Sequence, residues 1–419
     1  MKVIIIGSGL IGLTTAYFLK CRGHEVTVID REAGPGRDTS FANGALLTPS
    51  MAEPWNAPGC WRVLFASLGR SDAALQLRLR ALPTLAGWGL EFLRNSKAAT
   101  FERAALSNLR LAVHSLEVMQ SLRQQTSIEY GRAARGSLRI FRDPAAWNQA
   151  TAVAERRLSE GLTFRRLSRG ETVDLEPALA PIAARLAGGL HYETDEIGDA
   201  YRFCVALAEQ AGQKGVEFRF GTQVTSVEVR RGEVTALVSN QERFVADRYV
   251  VAAGSYSTPL LRPMGIDLPV RPVKGYSVTT EAHQIRTSLS VPVIDDHLHA
   301  AIVPLDGAIR VAGTAEFAGY DRTLDADRIR NLLTLLREVL PQESLDSGRV
   351  RPWCALRAIS ADGVPIISPT RVPNLFVNTG HGHLGWTMAA GSAQLLSDLM
   401  CGDTPSIDPA PFTLARFAA

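Results

Sequence analysis

Cysteine is scarce and scattered in this sequence. Its five cysteines, Cys21, Cys60, Cys204, Cys354 and Cys401, are odd in number and far apart, and they form no C-x-x-C pair and no cluster with histidine. This pattern argues against a disulfide framework and against a structural zinc site. We therefore expect no bound metal ion and a reducing, cytoplasmic compartment.

Long apolar runs and blocks of like charge are also lacking. Beyond the N-terminus no segment reaches about 18 uninterrupted apolar residues, so a membrane-spanning helix is not expected. The 45 basic and 42 acidic residues are interspersed, and a net charge of +3 does not favour nucleic acid as a partner. The apolar N-terminus is interrupted by glycines and has no small-residue cleavage site, so we interpret it as the start of a folded domain rather than a signal peptide.

The start of the chain has the pattern of a strand, a turn, a helix and a second strand. β-branched residues over Lys2–Ile6 predict a buried parallel strand, and the glycine-rich turn GSGLIG, Gly7–Gly12, follows it. A helical pattern then runs to Cys21, and Gly23 is a natural stop for it. Glu25–Ile29 is the second predicted strand.

This unit matches the dinucleotide-binding fingerprint in its proper context. Gly7 permits the tight turn, Gly9 lets the backbone approach a pyrophosphate, and Gly12 lets the helix pack closely on the sheet. The helix N-terminus attracts phosphate, and Asp30 ends the second strand, where an acid binds the adenosine ribose hydroxyls. FAD and NAD share the fingerprint, so the unit alone does not distinguish them.

The chain after Asp30 does not continue as a simple NAD dehydrogenase would. A loop rich in glycine, serine and asparagine follows, and residues 54–154 are mostly helical in pattern. Alternating strands return at Gln223–Val229 and Val234–Val238, with RRGE as the turn between them. RYVVAAGSYS, Arg248–Ser257, is a buried strand that runs into small residues. An α/β domain that is interrupted early is therefore favoured over successive strand–helix–strand units.

Several blocks in a fixed order carry a family resemblance. They are VIIIGSGLIGLTTAYFL, HEVTVIDRE, TSFANGALLTPSMAEPWNAPG, VVAAGSYST, PVKGYSVT, LRAISADGVPIISPT and NTGHGHLGWTMAAGSAQLLSDL. The chain resembles the D-amino acid oxidase and glycine oxidase superfamily of FAD enzymes, and within it the bacterial D-amino acid dehydrogenase small subunits. The blocks span nearly the whole chain.

The resemblance implies an α/β fold with two domains. A Rossmann-like FAD-binding domain would be assembled from residues 1–45, 196–265 and 350–419. A substrate-binding domain, an antiparallel sheet with flanking helices, would come from residues 46–195 and 266–349.

The resemblance also implies noncovalent FAD held by two glycine turns. The second turn lies in NTGHGHLGWT, between a predicted strand, Leu375–Asn378, and a predicted helix, Met388–Leu399. The amides at that helix's N-terminus would face the flavin, where negative charge accumulates on reduction. The implied FAD-binding residues are Gly7, Gly9, Leu10, Ile11, Gly12, Asp30, Arg31, Thr39, Ser40, Asn43, Gly44, Ala45, Leu46, Val224, Ala253, Gly254, Gly380, His381, Gly382, His383, Leu384, Gly385, Trp386 and Thr387.

Three residues are candidates for the chemistry. Arg357 matches the family's arginine that binds the substrate carboxylate, although Ala355 and Ala358 replace the usual glycine and proline around it. A guanidinium can meet a carboxylate in two parallel charge-assisted hydrogen bonds. Tyr276 would offer its hydroxyl to the substrate, or is a core tyrosine. His383 departs from the family's smaller residue and touches the flavin, narrows the cavity, or is an exposed loop histidine.

The family reaction passes the Cα–H of a neutral amine as hydride to flavin N5, so the enzyme mainly aligns the two. The imine product then hydrolyses to a 2-oxo acid, or stays cyclic with a proline-type substrate. We expect neutral D-amino acids, D-proline or cis-4-hydroxy-D-proline as substrates, and a quinone or other non-oxygen electron acceptor. The alternatives are an oxygen-using D-amino acid, glycine or sarcosine-type oxidase, and a flavin-binding redox subunit without amine turnover. Covalent flavin attachment to Cys354 is disfavoured, and we expect this cysteine to be buried and inert.

The stretch 54–93 is unusually apolar and carries interspersed arginines. Its members are Trp55, Trp61, Phe65, Leu68, Leu75, Leu77, Leu79, Leu82, Leu85, Trp88, Leu90 and Phe92, with Arg62, Arg70, Arg78, Arg80 and Arg94 close by. Helices that cover the substrate cavity would explain it. An interfacial segment on the inner face of the bacterial membrane would explain it too, in keeping with a quinone acceptor.

Overall fold

The structure is a computed structural model that describes residues 1–62, 75–281, 284–343, 345 and 347–417. The strands it describes are β1 (Lys2–Ile6), β2 (Glu25–Ile29), β3 (Leu46–Leu47), β4 (Leu75–Leu77), β5 (Ser137–Phe141), β6 (Phe164–Ser168), β7 (Gly188–Tyr192), β8 (Glu196–Ile197), β9 (Glu217–Arg219), β10 (Val224–Arg230), β11 (Glu233–Ser239), β12 (Arg243–Phe244), β13 (Arg248–Val251), β14 (Val270–Thr280), β15 (Val293–Asp295), β16 (Ala300–Leu305), β17 (Ala308–Phe317), β18 (Val350–Ser360), β19 (Ile366–Pro369) and β20 (Leu375–Thr379). The α-helices it describes are Leu10–Cys21, Leu82–Arg94, Ala98–Thr126, Pro144–Arg156, Arg169–Leu175, Ala200–Gln213, Ser257–Leu261, Ala326–Val339 and Gly385–Cys401.

A mainly parallel sheet has the order β19-β20-β13-β1-β2-β9, and β19 is its antiparallel edge strand. β1 lies at the centre because its apolar residues Val3–Ile6 are buried on both faces. Helices Leu10–Cys21 and Gly385–Cys401 pack against each other and on this sheet, which buries their apolar sides. The predicted strand–turn–helix–strand unit is confirmed, including the helix end at Cys21.

The second large sheet is mostly antiparallel, in the order β18-β14-β17-β16-β15-β5-β7-β6, with β4 beside β17. Two of its pairs, β15 with β5 and β17 with β4, are parallel. This α/β architecture with a mixed second sheet agrees with the predicted fold class. β18 pairs with β14 along its whole length, so residues 350–360 belong to this sheet although the predicted cofactor domain resumes at 350. The division into domains stays a prediction.

The predicted hairpin at RRGE is present as β10 and β11. Its two central residues, Arg231 and Gly232, have φ angles of +53° and +86°. Positive φ at both central positions is what a two-residue hairpin turn requires, and glycine adopts it without strain. The pattern of alternation and turn chemistry was therefore sufficient here.

The expectation of helices over residues 54–154 is right for three long helices and incomplete for the rest. β5, Ser137–Phe141, was missed because its SLRIF run is only five residues long and lies within a stretch that is mostly helical in pattern. The predicted positions Phe65, Leu68 and Arg70 lie outside the described residues. No helix in the described part of the chain is long and apolar enough to cross a membrane.

Candidate functional site

A cavity of about 1480 Å³ opens where the carboxyl ends of the parallel strands meet the second sheet. Ile6, Ile29, Ala252 and Thr379 line it from the ends of β1, β2, β13 and β20. Ligands of open α/β sheets bind at this edge of the strands. Most of the residues implied by the resemblance lie on its walls, and Gly12, Tyr276, Leu384 and Thr387 do not.

The first glycine turn approaches neighbouring backbone too closely for side chains. Gly7 has a φ of +110°, and a Cβ there would lie 2.5 Å from the carbonyl oxygen of Ala252. A Cβ on Gly12 would lie 1.8 Å from the carbonyl oxygen of Gly7, so this glycine serves helix packing behind the cavity wall. Helix Leu10–Cys21 begins at Gly9 without a side-chain cap on that residue, and its N-terminus lines the cavity with Leu10 and Ile11. A helix N-terminus beside an open cavity fits a pyrophosphate.

Asp30 lies at the end of β2, beside the same turn. Its Oδ2 accepts hydrogen bonds from the backbone N–H of Ser8 at 2.6 Å and from the Ser8 hydroxyl at 2.7 Å, and its Oδ1 accepts from the N–H of Glu32 at 2.9 Å. The guanidinium of Arg31 lies 3.8 Å from the centre of the Tyr256 ring and pairs with Asp38. The carboxylate is thus fixed at the mouth of the turn, where the sequence predicts ribose binding.

The loop after β2 forms a second wall. Ser40 accepts a hydrogen bond from the N–H of Leu10 at 3.1 Å, and the Thr39 hydroxyl donates to the carbonyl of Leu356 at 3.1 Å. The Asn43 side chain accepts from the N–H of Ala45, which holds a φ of +56°. Five further residues implied by the resemblance also line the cavity: Gly44, Leu46, Val224, Ala253 and Gly254. The loop is therefore held to helix Leu10–Cys21 and to β18, and it faces the cavity.

The C-terminal glycine turn joins β20 to helix Gly385–Cys401. Gly380 and Gly382 have φ angles of +84° and +58°, which lets the chain turn within a few residues. The helix has no side-chain cap at its N-terminus, so its first amides are free to face a negatively charged group. Trp386 lines the cavity and donates its indole N–H to the carbonyl of Gly198 at 3.0 Å.

Three residues in and beside this turn pack against or hydrogen-bond to other parts of the protein. Leu384 is buried in the core cluster beneath the parallel sheet. The Thr387 hydroxyl accepts a hydrogen bond from the N–H of Thr48 at 3.0 Å, away from the cavity. His381 lines the cavity, its Nε2 lies 2.9 Å from the Ser392 hydroxyl, and burial lowers the pKa of its imidazole to about 3. His381 is therefore neutral at physiological pH.

Arg357 lies on β18 with its guanidinium over Gly275 of the neighbouring strand. A Cβ on Gly275 would lie 2.0 Å from Nη1 of Arg357, so only glycine leaves room for the guanidinium. Nη1 is buried and has no hydrogen-bond partner among the described residues. Burial lowers the pKa of Arg357 to about 10, which still leaves the group charged at neutral pH. A buried cation with an open donor is costly unless an anion completes it.

The substitutions around Arg357 do not disturb the strand. Ala355 pairs with Gly275 and Ala358 with Pro272 in an unbroken antiparallel register. Cys354 is buried on the face away from the cavity, and its thiol donates a hydrogen bond to the carbonyl of Arg322 at 3.1 Å. Burial raises the pKa of that thiol, as suits a buried, inert cysteine.

Tyr276 is not a cavity residue, which corrects its prediction as a catalytic group. Adjacent residues of a strand face opposite sides, and because Gly275 faces the cavity, Tyr276 faces the core. Its hydroxyl donates to Oε2 of Glu316 at 2.6 Å, and Lys274 lies 3.2 Å from the same oxygen. The core-tyrosine alternative is the correct one.

His383 and Trp55 complete the wall beside Arg357. Nε2 of His383 lies 3.0 Å from the carbonyl oxygen of Met51. Its ring stacks on Trp55 with 5.5 Å between ring centres and 22° between planes. The Arg357 guanidinium carbon lies 5.7 Å from the centre of the Trp55 ring. Two of the alternatives for His383, contact with the flavin and narrowing of the cavity, therefore remain, and an exposed loop position does not.

Sequence reasoning assigned neither Trp55 nor Gly275 a role at the site. Trp55 was counted with the apolar stretch 54–93, and only its proximity to the quoted block TSFANGALLTPSMAEPWNAPG hinted at more. Thr314 was also missed: it has a φ of +54°, lines the cavity at the bulge opposite Gly275, and its buried hydroxyl has no hydrogen-bond partner in the described chain. Nothing in the local sequence indicates this strained conformation. No cluster of metal-binding side chains occurs among the described residues.

Comparison with known proteins identifies the family. The family model described as FAD dependent oxidoreductase matches residues 2–399. The chain belongs to this family. As an FAD-dependent oxidoreductase it is an enzyme, and its cofactor is FAD, which the cavity fits through its two glycine turns and the helix N-termini that follow them.

Relatives of this FAD-dependent oxidoreductase share its full length. It is 40% identical over 419 residues to a D-amino acid dehydrogenase of Allorhizobium ampelinum, covering 100% of this chain and 99% of the relative. It is 40% identical over 422 residues to a D-amino acid dehydrogenase of Paramagnetospirillum magneticum, with the same coverage. A glycine oxidase structure from Geobacillus kaustophilus has a TM-score of 0.78 at 22% identity, covering 99% of this chain and 98% of that one, which supports the fold.

Proposed function

We propose that this enzyme is a D-amino acid dehydrogenase that oxidises small neutral D-amino acids, including D-proline and cis-4-hydroxy-D-proline, and passes the electrons to a quinone or another non-oxygen acceptor. The observation that carries the proposal is Arg357, a partly buried cation in the wall of the FAD cavity, whose buried Nη1 has no hydrogen-bond partner among the described residues. Full-length relatives named D-amino acid dehydrogenase support the same reaction class.

The residues of the chain bind and align the substrate. Bound FAD would supply the oxidation itself, as the acceptor of a hydride from the substrate Cα. Arg357 takes the carboxylate in two charge-assisted hydrogen bonds, and Gly275 leaves it the space to do so. Trp55 and Ala315 contribute apolar surface beside it. Holding the substrate in this way converts a bimolecular reaction into an effectively unimolecular one.

The charges on the cavity wall favour a neutral side chain. Four acidic residues line the cavity in the described chain, and each already has partners. Asp38 pairs with Arg31, Asp295 with Arg142 and Asp296 with Arg139, while Asp30 holds Ser8. A cationic substrate side chain would therefore find no free carboxylate, whereas a small neutral one needs none.

Anaerobic flavin reduction tests the proposal. The purified protein should be yellow, and D-alanine or D-proline should bleach its absorbance while L-alanine does not. Reoxidation by a soluble quinone should be much faster than reoxidation by oxygen; the reverse order would show the oxidase alternative. A colourless protein, or one that no D-amino acid bleaches, would refute the proposal.

A matched pair of variants then tests Arg357. Arg357→Met should keep the flavin but raise the KM for D-alanine by about 30-fold or more, since a lost hydrogen bond to a charged group costs about 2–3 kcal/mol. The control, Arg351→Met, lies on the same strand and pairs with Glu281 at the surface. It should leave the KM unchanged. Equal effects of the two changes would count against the carboxylate site.

We also propose that helix Leu82–Arg94 lies on an anionic membrane surface, where a quinone is available. Its inner side is apolar through Leu85, Trp88 and Phe92, and Leu82, Leu90 and Leu93 are exposed on its outer side. A surface helix that is apolar on both sides indicates an interaction site. Exposed basic residues, Arg94 and Lys97, lie at its C-terminal end. Basic side chains around an apolar face suit anionic lipid headgroups.

Sedimentation with lipid vesicles tests this surface. The protein should bind vesicles that contain phosphatidylglycerol, and phosphatidylcholine vesicles only weakly. Replacing Leu82, Leu90 and Leu93 together by glutamine should abolish binding and leave flavin reduction intact. The control Leu158→Gln changes an exposed leucine elsewhere and should bind as before. Binding that survives the triple change, or is equal for both lipids, would refute this surface.

A further inference from the structure

The imidazole of His383 is a cavity group that the carboxylate site does not explain. It lies in the short turn Gly382–Leu384 before the last helix. The ring contacts the carbonyl of Met51 and the indole of Trp55. Both the ring and Arg357 line the cavity. Its chemistry therefore bears on whatever binds at Arg357.

The hydrogen bond to Met51 determines the tautomer of His383. A backbone carbonyl can only accept, so Nε2, 3.0 Å from the Met51 oxygen, must carry the proton. In a neutral imidazole the other nitrogen, Nδ1, is then an acceptor. Nδ1 has no hydrogen-bond partner among the residues that the structure describes. A single acceptor is thus left for a ligand.

His383 stays neutral at physiological pH. Burial lowers the pKa of the imidazole to about 4, the hydrogen bond to Met51 opposes this, and the charge of Arg357 lowers it further. Protonation would place a second cation beside Arg357 in a water-poor site. The lone pair on Nδ1 is therefore available at neutral pH.

Arg357 and His383 are complementary to the two polar groups of an amino acid. Both approach the same indole, with Arg357 at 5.7 Å and the His383 ring at 5.5 Å from the centre of the Trp55 ring. Arg357 has only donors and suits a carboxylate, which has only acceptors. The amino group is attached to the next carbon and has donors. Nδ1 of His383, on the wall of the same cavity, is an acceptor that suits this group.

We propose that Nδ1 of His383 accepts a hydrogen bond from the amino group of the substrate whose carboxylate lies on Arg357. The inference rests on the proposed amino acid oxidation. It adds a second point of attachment, so that carboxylate, amino group and Cα are fixed together. Substrates with a primary or a ring secondary amine both satisfy it, because each has an N–H to donate.

Three substitutions separate the functions of the ring. His383→Gln places an amide nitrogen near the position of Nε2, so it keeps a donor for Met51 and loses the Nδ1 acceptor. His383→Asn places an amide oxygen near the position of Nδ1 and loses the bond to Met51. His383→Phe keeps the stacking on Trp55 and removes both nitrogens. Flavin content and absorbance spectrum check that each variant holds its cofactor.

The readout compares ligands with and without an amino group. For His383→Gln and His383→Phe we expect the KM for D-alanine to rise about tenfold or more. The dissociation constant of propanoate, measured by perturbation of the flavin spectrum, should change less than about twofold. His383→Asn should restore much of the D-alanine affinity.

Two outcomes would overturn the assignment. Equal weakening of D-alanine and propanoate would mean that His383 only shapes the cavity, and unchanged values for both would mean that it does not contact the substrate. A failure of the proposed function is distinguishable, because the unmodified enzyme itself would then not be reduced by any D-amino acid.

Discussion

Asp195 is a fully buried carboxyl group that has no cation beside it in the described chain. One oxygen accepts hydrogen bonds from the hydroxyls of Ser50 and Ser137, each at 2.5 Å, and the other accepts from the N–H of Ser50 at 3.3 Å. Burial outweighs these bonds and raises the pKa of Asp195 to about 7. We therefore predict that Asp195→Asn changes how stability depends on pH.

The sign and size of the effect follow from the pKa difference. Below the ordinary value of 3.8, both the folded and the unfolded chain hold the proton, and the stability contribution is fully present. Between 3.8 and about 7 the unfolded chain has lost the proton and the folded one keeps it, so stability falls as pH rises. A gap of about 3 pKa units at 1.36 kcal/mol each gives an upper limit of about 4 kcal/mol, lost completely above pH 7.

Urea unfolding at pH 5, 6, 7 and 8 measures this. Asparagine has the shape of the aspartic acid side chain and cannot ionise. The free energy of unfolding of the variant, relative to that of the wild type, should therefore rise by about 2–3 kcal/mol between pH 5 and pH 8. The control Asp174→Asn removes an exposed carboxyl and should follow the wild type at every pH. Stability curves of wild type and Asp195→Asn that run parallel from pH 5 to 8 would refute the buried, protonated state.

Three further changes test the geometry of the site. Gly275→Ala should displace the guanidinium of Arg357, so steady-state kinetics should show a KM for D-alanine raised about tenfold or more with flavin content unchanged; a normal KM would contradict the close approach. Tyr276→Phe should lower the free energy of unfolding by about 1–3 kcal/mol in urea, because Glu316 loses a donor, while kcat stays within about twofold. Gly7→Ala should yield protein with little bound FAD, measured by the ratio of flavin to protein absorbance, since its Cβ would meet Ala252.

The sequence was sufficient wherever a local pattern has one structural meaning. Glycines at fixed spacing after a β-branched run could be assigned to a phosphate-binding turn, and the double positive φ at Arg231 and Gly232 follows from RRGE. The carboxylate-binding role proposed for Arg357 came from the family resemblance, and the structure adds that its buried Nη1 has no hydrogen-bond partner among the described residues.

What sequence could not supply was the direction of side chains in long strands. Lys274, Gly275 and Tyr276 are consecutive in β14, and nothing local says which of them faces the cavity. Pairing of β14 with β17 and β18 determines which face of the strand lines the cavity, and both partner strands are distant in the sequence. The prediction chose Tyr276 for its reactive hydroxyl. In the structure Gly275 lines the cavity instead, and its lack of a side chain leaves room for the guanidinium of Arg357.

The two glycine turns, at opposite ends of the chain, form one site because of strand order. β13 lies directly between β1 and β20, all three are parallel, and both turns therefore leave the same edge of the sheet into one cavity. Each turn leads into a helix whose N-terminus lines the cavity. Either helix alone would suit one anion, but two of them in a single cavity suit an elongated cofactor with negative charge at separate points. FAD meets this requirement through its pyrophosphate and, on reduction, its flavin, whereas one turn would suffice for a smaller nucleotide.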